Sequence, residues 1–120
     1  MQNPDNLRVS AEAEELAIAV YDYTDGFPRE EMYGLTAQMR RAAISIGSNI
    51  FEGCSRKSDK SLIAYLYTAH GSAGEILFQA RIARRRGYGD PARAAHMHKR
   101  LLNTRRMLAR LIRKLEEKSP

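Results

Sequence analysis

From residue 35 to residue 53 the chain reads Leu-Thr-Ala-Gln-Met-Arg-Arg-Ala-Ala-Ile-Ser-Ile-Gly-Ser-Asn-Ile-Phe-Glu-Gly. Taken as a helix, it places Leu35, Met39, Ala42, Ile46, Ile50 and Gly53 on one side, because steps of three and four residues return to one face. Thr36 is positioned to cap it. A polar line runs beside the apolar one: Gln38, Arg41, Ser45, Ser48 and Glu52, with Asn49 among them. A solvent-facing helix ordinarily carries Lys and Glu there, so Ser, Asn and Gln among many small residues imply that part of this seam is buried. Buried polar groups left unpaired cost about 1–3 kcal/mol each. A partner helix must therefore supply matching groups, and Ser72 and Glu75 are the candidates, with Arg41 expected to pair with Glu75.

The rest of the chain supplies three more helices. Residues 1–8 have no period and read as a loose tail. From Val9 the apolar positions run Val9, Ala13, Leu16, Val20 and Tyr23, with Ser10 as the expected start and Glu12, Glu14 and Glu15 in the first turn, where they suit the helix dipole. Asp25-Gly26 stops that helix. Ser58 is expected to cap a third helix, whose seam is Leu62, Leu66, Ala69, Ala73, Ile76, Ala80 and Ala83 and whose end is Gly87. Gly71 and Gly74 lie beside this seam and suggest close approach of a neighbouring helix. Asp90-Pro91 is a cap followed by proline at the first helical position, and the fourth seam is Ala94, Met97, Leu101, Thr104, Leu108, Leu111 and Leu115.

Four helices, about 9–24, 36–53, 58–86 and 91–116, joined by short links, predict an all-α fold: one antiparallel up-down-up-down four-helix bundle over residues 1–120. Ile44, Phe51, Ile63, Tyr67, Phe78 and Ile112 fall outside the narrow seams. This excess of apolar surface points to self-association.

The run quoted above resembles the motif of the bacterial 23S rRNA intervening-sequence protein family, Leu-Thr-x-Gln-x-Arg-Arg-Ala-Ala-x-Ser-Ile-x-x-Asn-Ile-x-Glu-Gly. Tyr65, Leu66, Ala69, Gly71, Ser72, Glu75, Gln79, Ile82, Ala83, Gly87 and Tyr88 are similar to its third helix and following turn, and Tyr21, Thr24, Phe27 and Pro28 to the end of its first helix. The resemblance implies a four-helix bundle, associated in this family with closed rings of five. Related bundles are linked with reverse transcriptases as accessory subunits.

The lone cysteine, Cys54, argues against a disulfide framework and for a reducing, cytoplasmic setting. No signal-peptide pattern and no run approaching ~18 apolar residues is present, so neither export nor membrane insertion is expected. Catalysis has little support. His70, His96 and His98 form no metal-ligand spacing, and Glu52 and Glu75 are more simply read as neutralising nearby arginines than as a hydrolytic pair. No catalytic residue, metal or cofactor is expected.

Charge carries the functional signal. The formal net charge is +6, yet residues 81–120 hold thirteen Lys and Arg against three acids, while the first eighty residues are net negative. From Pro91 to Leu115 no acid appears. The candidate nucleic-acid contacts are Arg81, Arg84, Arg85, Arg93, Lys99, Arg100, Arg106, Arg110, Arg113 and Lys114. Arginine dominates lysine, which favours bidentate phosphate contacts, and aromatic residues are scarce, which makes base stacking a minor term. The expected function is phosphate-directed, weakly sequence-specific binding of RNA or DNA by an oligomer. The alternative is an adaptor whose basic face receives an acidic protein partner, such as a nucleic-acid-processing enzyme.

Overall fold

The computed structural model describes residues 1–118 and folds them into four helices: α1 (Arg8–Thr24), α2 (Leu35–Cys54), α3 (Asp59–Arg85) and α4 (Pro91–Lys118). Short 3-10 turns, Pro4–Asn6 and Arg29–Glu31, precede α1 and α2. Of the domain expected over 1–120, the last two residues lie outside the described residues. Successive helices pack side by side, and α4 closes the bundle against α1. Cross-helix pairs show neighbours running antiparallel: Arg40, near the start of α2, reaches Thr24 at the end of α1, Lys118 meets Asp59, and Arg93 meets the Asp22 carbonyl. The body measures 47 × 22 × 21 Å.

Each helix buries one stripe. Leu16, Val20 and Tyr23 of α1, Met39, Ile46 and Ile50 of α2, Leu66 and Ile76 of α3, and Met97, Leu101 and Leu108 of α4 meet in the centre. Thr104 is buried among them without cost, because its hydroxyl donates to the Arg100 carbonyl at 2.9 Å. On α4 the stripe takes Ile112, expected to lie outside it, while Leu111 is only half-buried. The buried positions 97, 101, 104, 108, 112 and 115 follow a straight helix of ~3.6 residues per turn. Strict alternation of four and three drifts by ~20° per heptad and so misplaces the last turn.

The helix ends are a mixture of local and tertiary devices. Ser58 Oγ accepts the Ser61 N–H at 3.2 Å, and Asp90 accepts the Arg93 N–H at 3.1 Å, as the sequence predicts. At the end of α3, Gly87 adopts φ +73°, and the Gly87 and Tyr88 amides return to the Arg84 and Ala83 carbonyls. That is a Schellman ending. Two expected caps fail. α1 starts at Arg8 rather than Ser10, has no acid in its first turn, and is entered through Leu7, which packs on the core. Thr36 is buried; the cap of α2 comes from Glu31, whose carboxylate accepts the Leu35 N–H at 2.9 Å and the Tyr88 hydroxyl at 3.1 Å.

Beside that carboxylate lies an aromatic corner. Tyr23 and Phe27 meet edge to face with centroids 4.8 Å apart, Phe27 leans on Tyr88 at 5.6 Å, and the Tyr23 hydroxyl donates to the Tyr88 carbonyl at 3.1 Å. The α1–α2 connection is thereby fastened to the α3–α4 link.

Close helix approach occurs at Gly53, not at Gly71 or Gly74. A Cβ on Gly53 would sit 2.9 Å from both Leu62 Cδ1 and Tyr65 Cβ, whereas one on Gly71 or Gly74 would meet nothing within 4 Å. Gly71 is exposed in mid-helix, so Gly71→Ala is expected to raise stability by about 1 kcal/mol through helix propensity. Chemical denaturation at fixed protein concentration checks this; a loss of stability would mean that the position is covered in an assembly.

Candidate nucleic-acid interface

The arginine-rich surface is built on α4, and the structure divides its residues into two groups. Lys99, Arg106, Arg110, Arg113 and Lys114 are exposed and make no ion pair among the described residues. Lys99, Arg106 and Arg113 are spaced by seven and form the outermost line of the helix. The others are partly committed. Arg100 is half-buried and paired with Glu12 of α1 at 3.2 Å, so it joins two helices rather than facing outward. Arg93 donates to the Asp22 carbonyl at 3.0 Å, at the negative end of α1. Arg81, Arg84 and Arg85 are exposed at the end of α3, and Arg86 stacks over the Tyr88 ring at 5.8 Å.

Two features of this surface escape a reading of α4 alone. Acids reach it from α1: Glu12 and Glu15 share a groove of about 450 Å³ with Arg8, Asn103, Arg106 and Arg110. A further cation also joins it, since Arg8 lies with Arg110 and Lys114 around a depression of about 270 Å³ floored by Leu7, Met107 and Leu111. Nothing in the period of the tail marks Arg8, because its placement depends on α1 packing against α4.

On the other side of α4, Tyr67 and His70 of α3 and Arg113 and Glu116 of α4 line one depression, with Arg105 beside His70. The Tyr67 hydroxyl donates to Glu116 at 3.0 Å, which raises the Tyr67 pKa above its ordinary value. Burial first, and the Arg105 charge second, push His70 below its ordinary 6.5. Above that value neither the folded nor the unfolded chain holds the proton; below it the unfolded chain takes the proton first. Stability is thus expected to fall as pH drops from 6.5 toward the depressed folded value. Thermal melts between about pH 7 and 5 should show a shallower loss in His70→Gln than in the parent chain.

The polar seam of α2 is only partly buried. Ser45 and Ser72 share a hydrogen bond at 2.9 Å, and Asn49 donates to the Ser45 carbonyl at 2.8 Å and to its hydroxyl at 3.1 Å. Ser72 is buried, Ser45 and Asn49 are half-buried, and Gln38, Arg41, Glu52 and Glu75 are exposed. The expected Arg41–Glu75 ion pair does not form: both side chains line the α2–α3 groove without meeting. Glu52 instead pairs with Arg56 one turn on, at 2.6 Å, and Arg40 with Asp25 at 2.8 Å. Hydration explains the difference, because an exposed ion pair gains only about 0–1 kcal/mol. Gln79, absent from the expected seam, is its most deeply buried amide.

Several large apolar side chains stay outside. Ile44, Phe51, Tyr67 and Phe78 are exposed as expected, the last by 66%, while Ile63 packs partly on the core and Ile112 is buried. Cys54 is buried too, and burial raises its thiol pKa. Among the described residues, no group of three or more His, Cys, Asp or Glu is arranged to hold a metal ion, and no helix is long and apolar enough to cross a membrane.

With the bundle, its α2–α3 seam and its turns in place, comparison with known families is decisive: the description 23S rRNA-intervening sequence protein matches residues 5–110. The chain belongs to that family. The matched span covers α1, α2, α3 and α4 as far as Arg110, so it includes the motif and leaves Arg113 and Lys114 of the basic surface outside it. Comparison with curated proteins returns no match.

Proposed function

We propose that the protein is a non-enzymatic cytoplasmic oligomer, a ring of five bundles as associated with the family it resembles, whose α4 surface binds RNA or DNA through phosphate contacts with little sequence preference. One observation carries the reading: Lys99, Arg106, Arg110, Arg113 and Lys114 stand exposed on one helix that bears no acid from Pro91 to Leu115, and they form no ion pair among the described residues. A solvated helix face of ordinary purpose mixes signs. Arg8 extends the site, and Arg81, Arg84 and Arg85 add charge at one end of the bundle. Repetition around a ring would multiply a weak single-subunit affinity. The exposed Ile44, Phe51, Tyr67 and Phe78 support self-association.

The same exposed apolar side chains favour a second reading, in which the oligomer is an adaptor for an acidic protein such as a nucleic-acid-processing enzyme. Fluorescence anisotropy of labelled RNA and DNA across a salt series separates the two. Affinity that falls steeply with salt supports the first reading, since each phosphate contact contributes about 0.7–0.9 to the logarithmic slope. Absence of binding at low salt overturns it in favour of the adaptor.

A further inference from the structure

Between α2 and α3 runs a groove that the basic surface does not use. The Ser45–Ser72 hydrogen bond sets the register of the two antiparallel helices, which brings Arg41 level with Glu75, and Gln38 level with Gln79 one turn away. The groove holds about 340 Å³, inside the ~300–1,000 Å³ range of small-molecule sites. Its floor is satisfied, since Ser45 and Ser72 bond each other and Asn49 bonds Ser45. Its unmet demand lies higher. Gln79 is only 9% exposed, yet among the described residues its Oε1 has no hydrogen-bond partner, a deficit that buried polar groups rarely carry. Arg41 and Glu75, on facing walls, make no ion pair among the described residues. Past Gln79 the groove widens into an adjoining depression of about 550 Å³ bordered by Leu35, Phe78 and Ile82.

We propose that this groove binds a small zwitterion with an apolar tail, of the α-amino acid class. The ligand ammonium donates to the Glu75 carboxylate and to Gln79 Oε1, which lie one helical turn apart on the same wall. The ligand carboxylate meets the Arg41 guanidinium, whose fork of donors matches a carboxylate. The tail lies along Leu35, Phe78 and Ile82. Opposite charges on the two walls fit a ligand carrying both signs and repel a polyanion at Glu75, so this site is independent of nucleic-acid binding.

Isothermal titration calorimetry of the full chain with L-leucine and L-phenylalanine, alongside N-acetylleucine and leucinamide, tests the assignment. The free amino acids are expected to bind with dissociation constants of about 0.1–1 mM, and each blocked analogue at least about tenfold more weakly. Gln79→Leu, which keeps the size of the side chain, and Glu75→Gln, an exposed change, should each weaken binding about tenfold or more. No heat at about 10 mM ligand, or equal binding of N-acetylleucine, overturns the proposal. A changed oligomeric mass of Gln79→Leu by light scattering also overturns it, by assigning the groove to a second copy of the chain.

Discussion

Gly89→Ala is expected to lower the unfolding free energy by about 3 kcal/mol. Two costs combine. Gly89 has φ +78°, where a Cβ meets the following carbonyl at a cost of about 1–2 kcal/mol. The new Cβ would also stand 2.6 Å from Tyr23 Cε1 and 3.2 Å from Phe27 Cε1. Tyr23 has little room to retreat, being 1% exposed, packed edge-on by Phe27 and tied through its hydroxyl to the Tyr88 carbonyl. Overpacking of that kind adds about 1–3 kcal/mol. Gly87→Ala is the control: its φ of +73° is similar, but an added Cβ meets nothing within 4 Å. Thermal melts followed by circular dichroism should show a drop of about 10–15 °C for Gly89→Ala and about a third of that for Gly87→Ala. Equal drops would mean that the aromatic corner is not closed over Gly89.

Simultaneous Arg106→Glu, Arg110→Glu and Arg113→Glu substitution is expected to weaken RNA or DNA binding by about 100-fold or more at moderate salt and to flatten the salt dependence by about 2–3 units of logarithmic slope. Each reversal removes a cation and introduces an anion, so together they bring the formal net charge from +6 to zero. All three side chains are exposed, and Arg and Glu have similar helix propensity, which leaves the fold in place. Unchanged helicity with lost binding locates the site on α4. Retained binding in this variant would move it to the Arg81, Arg84 and Arg85 end of the bundle, and the α4 assignment would fall.

The fold is legible in the sequence wherever a local signal decides it. Val9, Ala13, Leu16, Val20 and Tyr23 form the α1 stripe as their spacing predicts, and Ser58, Gly87 and Asp90 mark helix ends because each acts through its own backbone neighbourhood. The failures share a different cause. Thr36 is drawn into the core because Glu31, a residue outside the helix, supplies the cap. The glycine that admits a neighbour is Gly53, a choice made by where Leu62 and Tyr65 arrive rather than by composition. The site divides in the same way. An acid-free α4 is visible in its residues, whereas the commitment of Arg100 to Glu12 and the arrival of Arg8 depend on the packing of α1. The pairing of Arg41 with Glu75 fails because water competes well for charges at a groove edge.

The closure of α4 on α1 has a consequence in time. Helices α2 and α3 meet across a short link, as do α3 and α4, but the Glu12–Arg100 contact joins residues 88 positions apart. Loop-closure entropy delays contacts of that separation, so the α2–α3 hairpin is expected to form early and the α1–α4 seam late. A seam made last is commonly among the first to open. The cations of α4 flank this late seam, so an anionic ligand laid across α1 and α4 through Arg8 and Arg110 would act as a clasp, slowing the step by which the bundle begins to come apart.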